Sequence, residues 1–274
     1  MALPIRYLDG HVHIFPDVWQ QRIYRWFEEG GWAIKYRHLS EEAIWQEVKS
    51  HGAEGASVLI YAHRPGIARE LNRWLYGWAQ ERPELHLYGT VHPDDPDGPE
   101  IVKEALETFH FAGFKIHANV QRVRVDDERL EPLYRAVLDN DRSLIIHAGR
   151  EPHRNDFVGV HFFRRLMVKY PSLRVQVAHL GYDELDAFVD LLGSYPFMYL
   201  DTAAIPGTRL HCSADQLHTV IEQYPDRIIY GSDAPILEES LVRHRDRIWR
   251  ASGTSARRTQ VFRTNLERFW AGGR

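Results

Sequence analysis

His11 and His13 are separated by a single residue. On an extended strand, residues two apart point to one face, so both imidazoles can reach a shared partner. Such a pair also arises by chance and says little alone. Further along stand Ile146-His147-Ala148-Gly149, Ala178-His179-Leu180-Gly181 and Tyr230-Gly231-Ser232-Asp233-Ala234-Pro235, each at the end of a short apolar run. The chain has 16 His in 274 residues, against one Cys and three Met. Imidazoles gathered at one place desolvate, and repel on protonation, unless a cation binds them. Imidazole nitrogen with carboxylate oxygen suits Zn²⁺, with Mn²⁺, Fe²⁺, Co²⁺ and Ni²⁺ as alternatives. A divalent ion lowers the pKa of its bound water from ~15.7 to about 7, which supplies hydroxide at neutral pH.

For these side chains to meet, the elements carrying them must converge. Eight runs read as strands: Tyr7–His13, Ala56–Tyr61, Leu85–Val91, Gly113–His117, Ser143–His147, Arg174–His179, Phe197–Asp201 and Arg227–Gly231. Stretches with the 3.6-residue period lie between them, such as Leu130, Leu133, Tyr134, Val137 and Leu138 after Asp126 and Asp127. Leu217, Val220 and Ile221 follow Ser213, whose partner Gln216 completes a capping-box spacing. Val261, Phe262, Leu266 and Phe269 predict an extra C-terminal helix. Alternating strands and helices imply parallel pairing with right-handed crossovers. Eight units in 274 residues fit a (β/α)8 TIM barrel forming one domain over residues 1–274. A doubly wound sheet is disfavoured, because the first strand runs into Asp9-Gly10-His11-Val12-His13 and not into a phosphate-binding turn. Residues 14–40, with Trp19, Trp26 and Trp32, are expected to form a lid or insertion over the barrel mouth. At that mouth the strand-end residues His13, His63, His92, His117, His147, His179, Asp201 and Asp233 would gather.

The ordered motifs from Asp9 to Pro235 resemble the amidohydrolase superfamily, more narrowly the branch that includes aminocarboxymuconate-semialdehyde decarboxylase. The resemblance implies metal ligation by His11, His13, His147 and Asp233, with His179 holding a second metal or polarising the substrate. In two-metal members a strand-four lysine carboxylated by CO2 bridges the ions, and Lys115 stands where that residue would be. Its other reading is a cation that contacts a substrate carboxylate. One ion or two is therefore open.

The function expected is hydrolysis of an amide, lactone or ester-like bond in a small, carboxylate-bearing substrate. Asp233 would shuttle the proton and His179 would donate to the developing oxyanion. The alternative is metal-dependent, non-oxidative decarboxylation of a small unsaturated or aromatic acid, and a non-catalytic metal-binding barrel is a third reading. His117, Arg64, Arg150 and Arg154 are candidate substrate contacts. Asp9 either orients a strand-one histidine or caps the turn, while Asp201 and Thr202 read as hydrogen-bonded turn residues. The remaining histidines, His211 and His244 among them, are assigned to surface or core. A formal charge of −4 gives no reason to expect nucleic acid or an anionic membrane as partner. A single cysteine, Cys212, suits a reducing compartment, and with no secretory signal a cytoplasmic location is expected. A homo-oligomer is compatible with all of this.

Overall fold

A computed structural model describes residues 5–150, 153, 155–205 and 212–272. Eight parallel strands pair in sequence order: β1 (Tyr7–His13), β2 (Ala53–Leu59), β3 (Leu85–Gly89), β4 (Gly113–His117), β5 (Ser143–His147), β6 (Arg174–Val177), β7 (Met198–Asp201) and β8 (Ile228–Ile229). β1 and the segment after β8 close the ring. Gly10 N donates to Tyr230 O at 2.8 Å, His13 N to Ala234 O at 2.7 Å, and Asp233 N to His11 O at 2.9 Å. Burial on both faces explains why the strands read as apolar runs with no alternation.

Helices wrap the outside. After β1 come α1 (Asp17–Glu29) and α2 (Glu41–Ser50), followed by α3 (Ala68–Trp78), α4 (Gly98–Lys103) and α5 (Ala118–Gln121). The second half adds α6 (Glu131–Asp139), α7 (Val160–Lys169), α8 (Leu185–Leu192), α9 (Ala214–Gln223) and α10 (Leu241–Ala251). At the start of α9, Ser213 accepts from Gln216 N and the Gln216 side chain accepts from Ser213 N, both halves of the expected capping box. The connection over residues 14–40 is not mere loop. It contains α1, whose Ile23, Tyr24 and Phe27 are buried.

The C-terminal segment forms α11 (Ser255–Thr259), a π-helical turn, and α12 (Asn265–Ala271). Leu266 and Phe269 of α12 join Leu8, Leu59, Tyr88, Ile145, Tyr199 and Ile229 in a cluster separate from the main core. Side chains from β1, β2, β3, β5, β7 and β8 can meet only inside the barrel, so α12 plugs its floor. Trp270 Nε1 donates to Ser57 Oγ at 2.9 Å and its ring stacks on His86 at 3.7 Å. The mouth lies at the opposite end, where the strands finish. No helix among the described residues is long and apolar enough to cross a membrane.

Candidate metal centre

The pairing of β1 with β2 steps from Asp9 opposite Ala56 to Val12 opposite Val58, which leaves one extra residue in β1. Such bulges re-aim side chains beside functional sites. Gly10 permits this one, because a Cβ there would lie 2.5 Å from Ile229 Cγ2. Past the bulge, the His11 ring donates from Nδ1 to Asp201 Oδ2 at 2.8 Å. The His13 ring donates from Nδ1 to the Leu59 carbonyl at 3.1 Å. Both acceptors lack a proton to give, so each neutral ring carries its lone pair on Nε2. These two nitrogens lie 3.1 Å apart, at 3.3 and 3.4 Å from Asp233 Oδ1. All three side chains are buried.

Asp233 reaches this place through a left-handed backbone, φ +68°. That conformation strains a residue other than glycine and is found where surrounding contacts impose it. Here Asp233 N donates to His11 O and its carbonyl accepts from Ile236 N at 2.7 Å. Asp9 holds the preceding residue, its Oδ1 accepting from Ser232 N at 2.9 Å and His11 N at 3.1 Å. It therefore ties backbones and caps the turn, without touching a histidine ring. Burial pushes its carboxyl up to about 7.

Three mutually close acceptors are unfavourable by themselves. A proton on Asp233 would satisfy one pair, whereas a divalent cation satisfies all three. The corners of a tetrahedron with metal–ligand bonds of ~2.1 Å lie about 3.4 Å apart, which matches the separations seen. The donor set fits a metal. Burial holds His11 well below the usual imidazole range and His13 at about 3, so neither competes for a proton near neutrality. Burial also drives the Asp233 carboxyl well above the usual range, against the pull of Lys115. The Lys115 amine lies 3.4 Å from His11 Nε2 and is lowered by burial to about 8.

His147 and His179 fall outside that group of three. His179 follows β6 on consecutive left-handed residues, with φ of +60°, +50° and +80° at His179, Leu180 and Gly181. Its Nδ1 donates to the Ala203 carbonyl at 2.9 Å, so Nε2 faces onward as an acceptor. In that tautomer the ring offers an acceptor to the mouth, and burial opposes a second proton. The His147 ring lies 4.9 Å from His179 and stacks on His117 at 4.0 Å, as expected from their pairing across β4 and β5. His117 has the opposite tautomer. Its Nδ1 accepts from Val120 N at 3.4 Å, which leaves the proton on Nε2 as the donor in this histidine cluster.

A family model described as Amidohydrolase matches residues 8–271. The chain belongs to the amidohydrolase family. No curated protein sequence matches it significantly. Among solved structures, an uncharacterized TIM-barrel protein from Bordetella bronchiseptica is similar at TM-score 0.76 and 16% identity, covering 97% of this chain and 99% of that one. 2,6-Dihydroxybenzoate decarboxylase bound to 2,6-dihydroxybenzoate is similar at 0.70 and 17%, covering 97% and 99%. So is 5-carboxyvanillate decarboxylase from Novosphingobium aromaticivorans, with bound manganese and 3-methoxy-4-hydroxy-5-nitrobenzoic acid, at 0.66 and 18%, covering 97% of each chain. At these identities the likeness establishes the fold.

This amidohydrolase has a cavity of about 340 Å³, walled by Ile23, Trp26, Tyr61 and Val120 with Arg22, His63 and Arg122 around it. Tyr61 connects that wall to the histidines, its ring 5.3 Å from His13 and 4.7 Å from His117. Two expected substrate cations are placed otherwise. Arg150 pairs with Glu184 at 2.7 Å, and exposed Arg64 lies over the Trp19 ring at 5.4 Å. Arg154 and His211 lie outside the described residues. His92 belongs to its own turn, where its Nδ1 accepts from Asp94 N at 3.2 Å. Sequence reasoning missed the role of Asp201, which holds the His11 ring. Its place at the end of β7, level with the metal-seeking residues, was the available signal.

Proposed function

We propose that the chain is a metal-dependent, non-oxidative decarboxylase of a small aromatic or unsaturated carboxylic acid. The observation that carries this reading is the meeting of His11 Nε2, His13 Nε2 and Asp233 Oδ1, with the Tyr61 ring standing between His13 and a small cavity whose wall it shares with Ile23 and Trp26. A cavity of about 340 Å³ suits one planar ring with its substituents. That the two similar decarboxylases bind substituted benzoates supports the same substrate class. Asp233, His11 and His13 would hold the ion, with His147 and His179 as further ligands. One ion is the simplest loading, and manganese in the similar decarboxylase makes Mn²⁺ as good a candidate as Zn²⁺.

When bound, the cation supplies a Lewis acid for substrate oxygen. Trp26, Tyr61 and Ile23 clasp the ring and keep water from it. His117 donates from Nε2 to a carboxylate oxygen, and Lys115 adds positive charge beneath. Asp233, holding the ion through Oδ1 and recharged with a proton from solvent on its other oxygen, delivers that proton to the carbon that bears the carboxylate. As that C–H bond forms, the C–C bond breaks, its electron pair restores the ring, and CO2 departs with no oxidant consumed. Hydrolysis is the second reading. It is favoured by the buried Lys115 amine, 3.4 Å from His11 Nε2, which could take up CO2 to bridge a second ion.

Manganese-loaded protein given a panel of hydroxybenzoates in D2O should release CO2 and place deuterium at the vacated carbon. Asp233→Asn should lower turnover at least ~100-fold while Mn²⁺ uptake persists. Incorporation of ¹⁸O from water into cleaved esters or lactones, with no CO2 from any acid, would overturn decarboxylation in favour of hydrolysis.

A further inference from the structure

Asp201, at the end of β7, accepts four hydrogen bonds. It is fully buried. Its Oδ2 accepts from His11 Nδ1 at 2.8 Å and from Gln176 Nε2 at 2.6 Å. Its Oδ1 accepts from the backbone nitrogens of His179 at 2.8 Å and Ala203 at 3.0 Å. All four partners donate, so both oxygens act as acceptors. Gln176 Nε2 uses its other proton on the Gly10 carbonyl at 2.9 Å, inside the β1 bulge. The amide is thereby oriented, and one small network joins β1, β6 and β7.

We propose that Asp201 is a positioning residue for metal capture, fixing the tautomer of His11 with one oxygen and the turn that carries His179 with the other. The inference rests on reading His11 as a metal ligand. An imidazole ligates through an unprotonated nitrogen, and an outer carboxylate that accepts from the opposite nitrogen keeps it so. Without Asp201, nothing in the network obliges the proton to stay on Nδ1. Nε2 can then be protonated towards Asp233 Oδ1, 3.3 Å away. Gln176 serves as the brace. Its amide prevents the carboxylate from rotating away and holds the bulge that aims His11.

The test is calorimetric titration of Mn²⁺ into chelator-stripped full-length protein, with ¹⁵N imidazole spectra to read the tautomer. Asp201→Asn keeps the shape and the Oδ1 acceptor but presents an N–H to donors. It should weaken Mn²⁺ binding ~10–100-fold and move the His11 proton from Nδ1 to Nε2. Gln176→Met, which leaves Asp201 in place, should weaken binding measurably but less than Asp201→Asn. Parent protein that binds Mn²⁺ while Asp201→Asn binds it equally, with Nδ1 still protonated, overturns the positioning role alone. Parent protein that binds no Mn²⁺ overturns the metal reading with it. Should Asp201→Asn not fold, unchanged affinity in Gln176→Met overturns the proposal.

Discussion

His244 is fully buried, and its Nε2 donates to the Thr202 carbonyl at 3.0 Å. Burial pushes it down to about 4 from an ordinary 6.5. Above pH 6.5 the ring is neutral in both folded and unfolded chains, and its packing contributes fully. As pH falls from 6.5 towards 4, the unfolded chain takes up a proton that the folded one refuses, so stability is lost. The loss amounts to about 3 kcal/mol for this group. Urea unfolding at pH 7 and pH 4 should show His244→Gln losing ~3 kcal/mol less than the parent over that interval; equal losses would show that the ring titrates normally. Residue types along the chain pointed to this group because His11, His13 and Asp233 need only stand at the ends of strands that open on one mouth. They could not reveal ring orientation. Which nitrogen of His179 faces the mouth depends on the Ala203 carbonyl, and the hold on His11 depends on Asp201, more than a hundred residues away in sequence.

At the scale of elements, the turn after β6 shows how local geometry departs from pattern. The apolar run predicts a strand through His179, yet β6 ends at Val177. Asp201 Oδ1 captures His179 N, and the next residues pass through the left-handed region. At Gly181 this is obligatory: φ is +80°, and an added Cβ would lie 2.1 Å from Phe188 Cδ2. Gly181→Ala should therefore cost about 3 kcal/mol, combining left-handed strain and overpacking. Adding Phe188→Leu should recover only the packing share. Thermal unfolding of the two variants measures both terms, and a Gly181→Ala protein as stable as the parent would contradict the turn. The strand bounds of β1, β4 and β5 agree with sequence expectation, each strand ending at a histidine. α1 hides among the aromatic residues of 14–40, although Ile23 and Phe27 stand four apart on its buried face. Within this segment the helix brings Ile23 and Trp26 to the cavity.

For the molecule as a whole, binding that is confined to the folded state must raise stability. Free Mn²⁺ at a hundredfold excess over its Kd adds about 2.7 kcal/mol, a rise in Tm on the order of 5 °C for a chain of this size. Scanning calorimetry should show that rise, its reversal by chelator, and its absence in His13→Ala. A parent protein whose Tm ignores Mn²⁺ would argue against the site. The barrel itself was legible from eight apolar runs at regular spacing, and the floor plug only as an amphipathic tail, since nothing in Leu266 and Phe269 says which end of the barrel they enter. Closure of β1 onto the segment after β8 has a temporal consequence. His11 and His13 leave the ribosome more than two hundred residues before Asp233. At ~5–20 residues per second they wait for tens of seconds as an incomplete pair. During that interval whichever intracellular ion binds imidazole most avidly has first access, and the carboxylate that arrives with Asp233 selects among them only once the ring has shut.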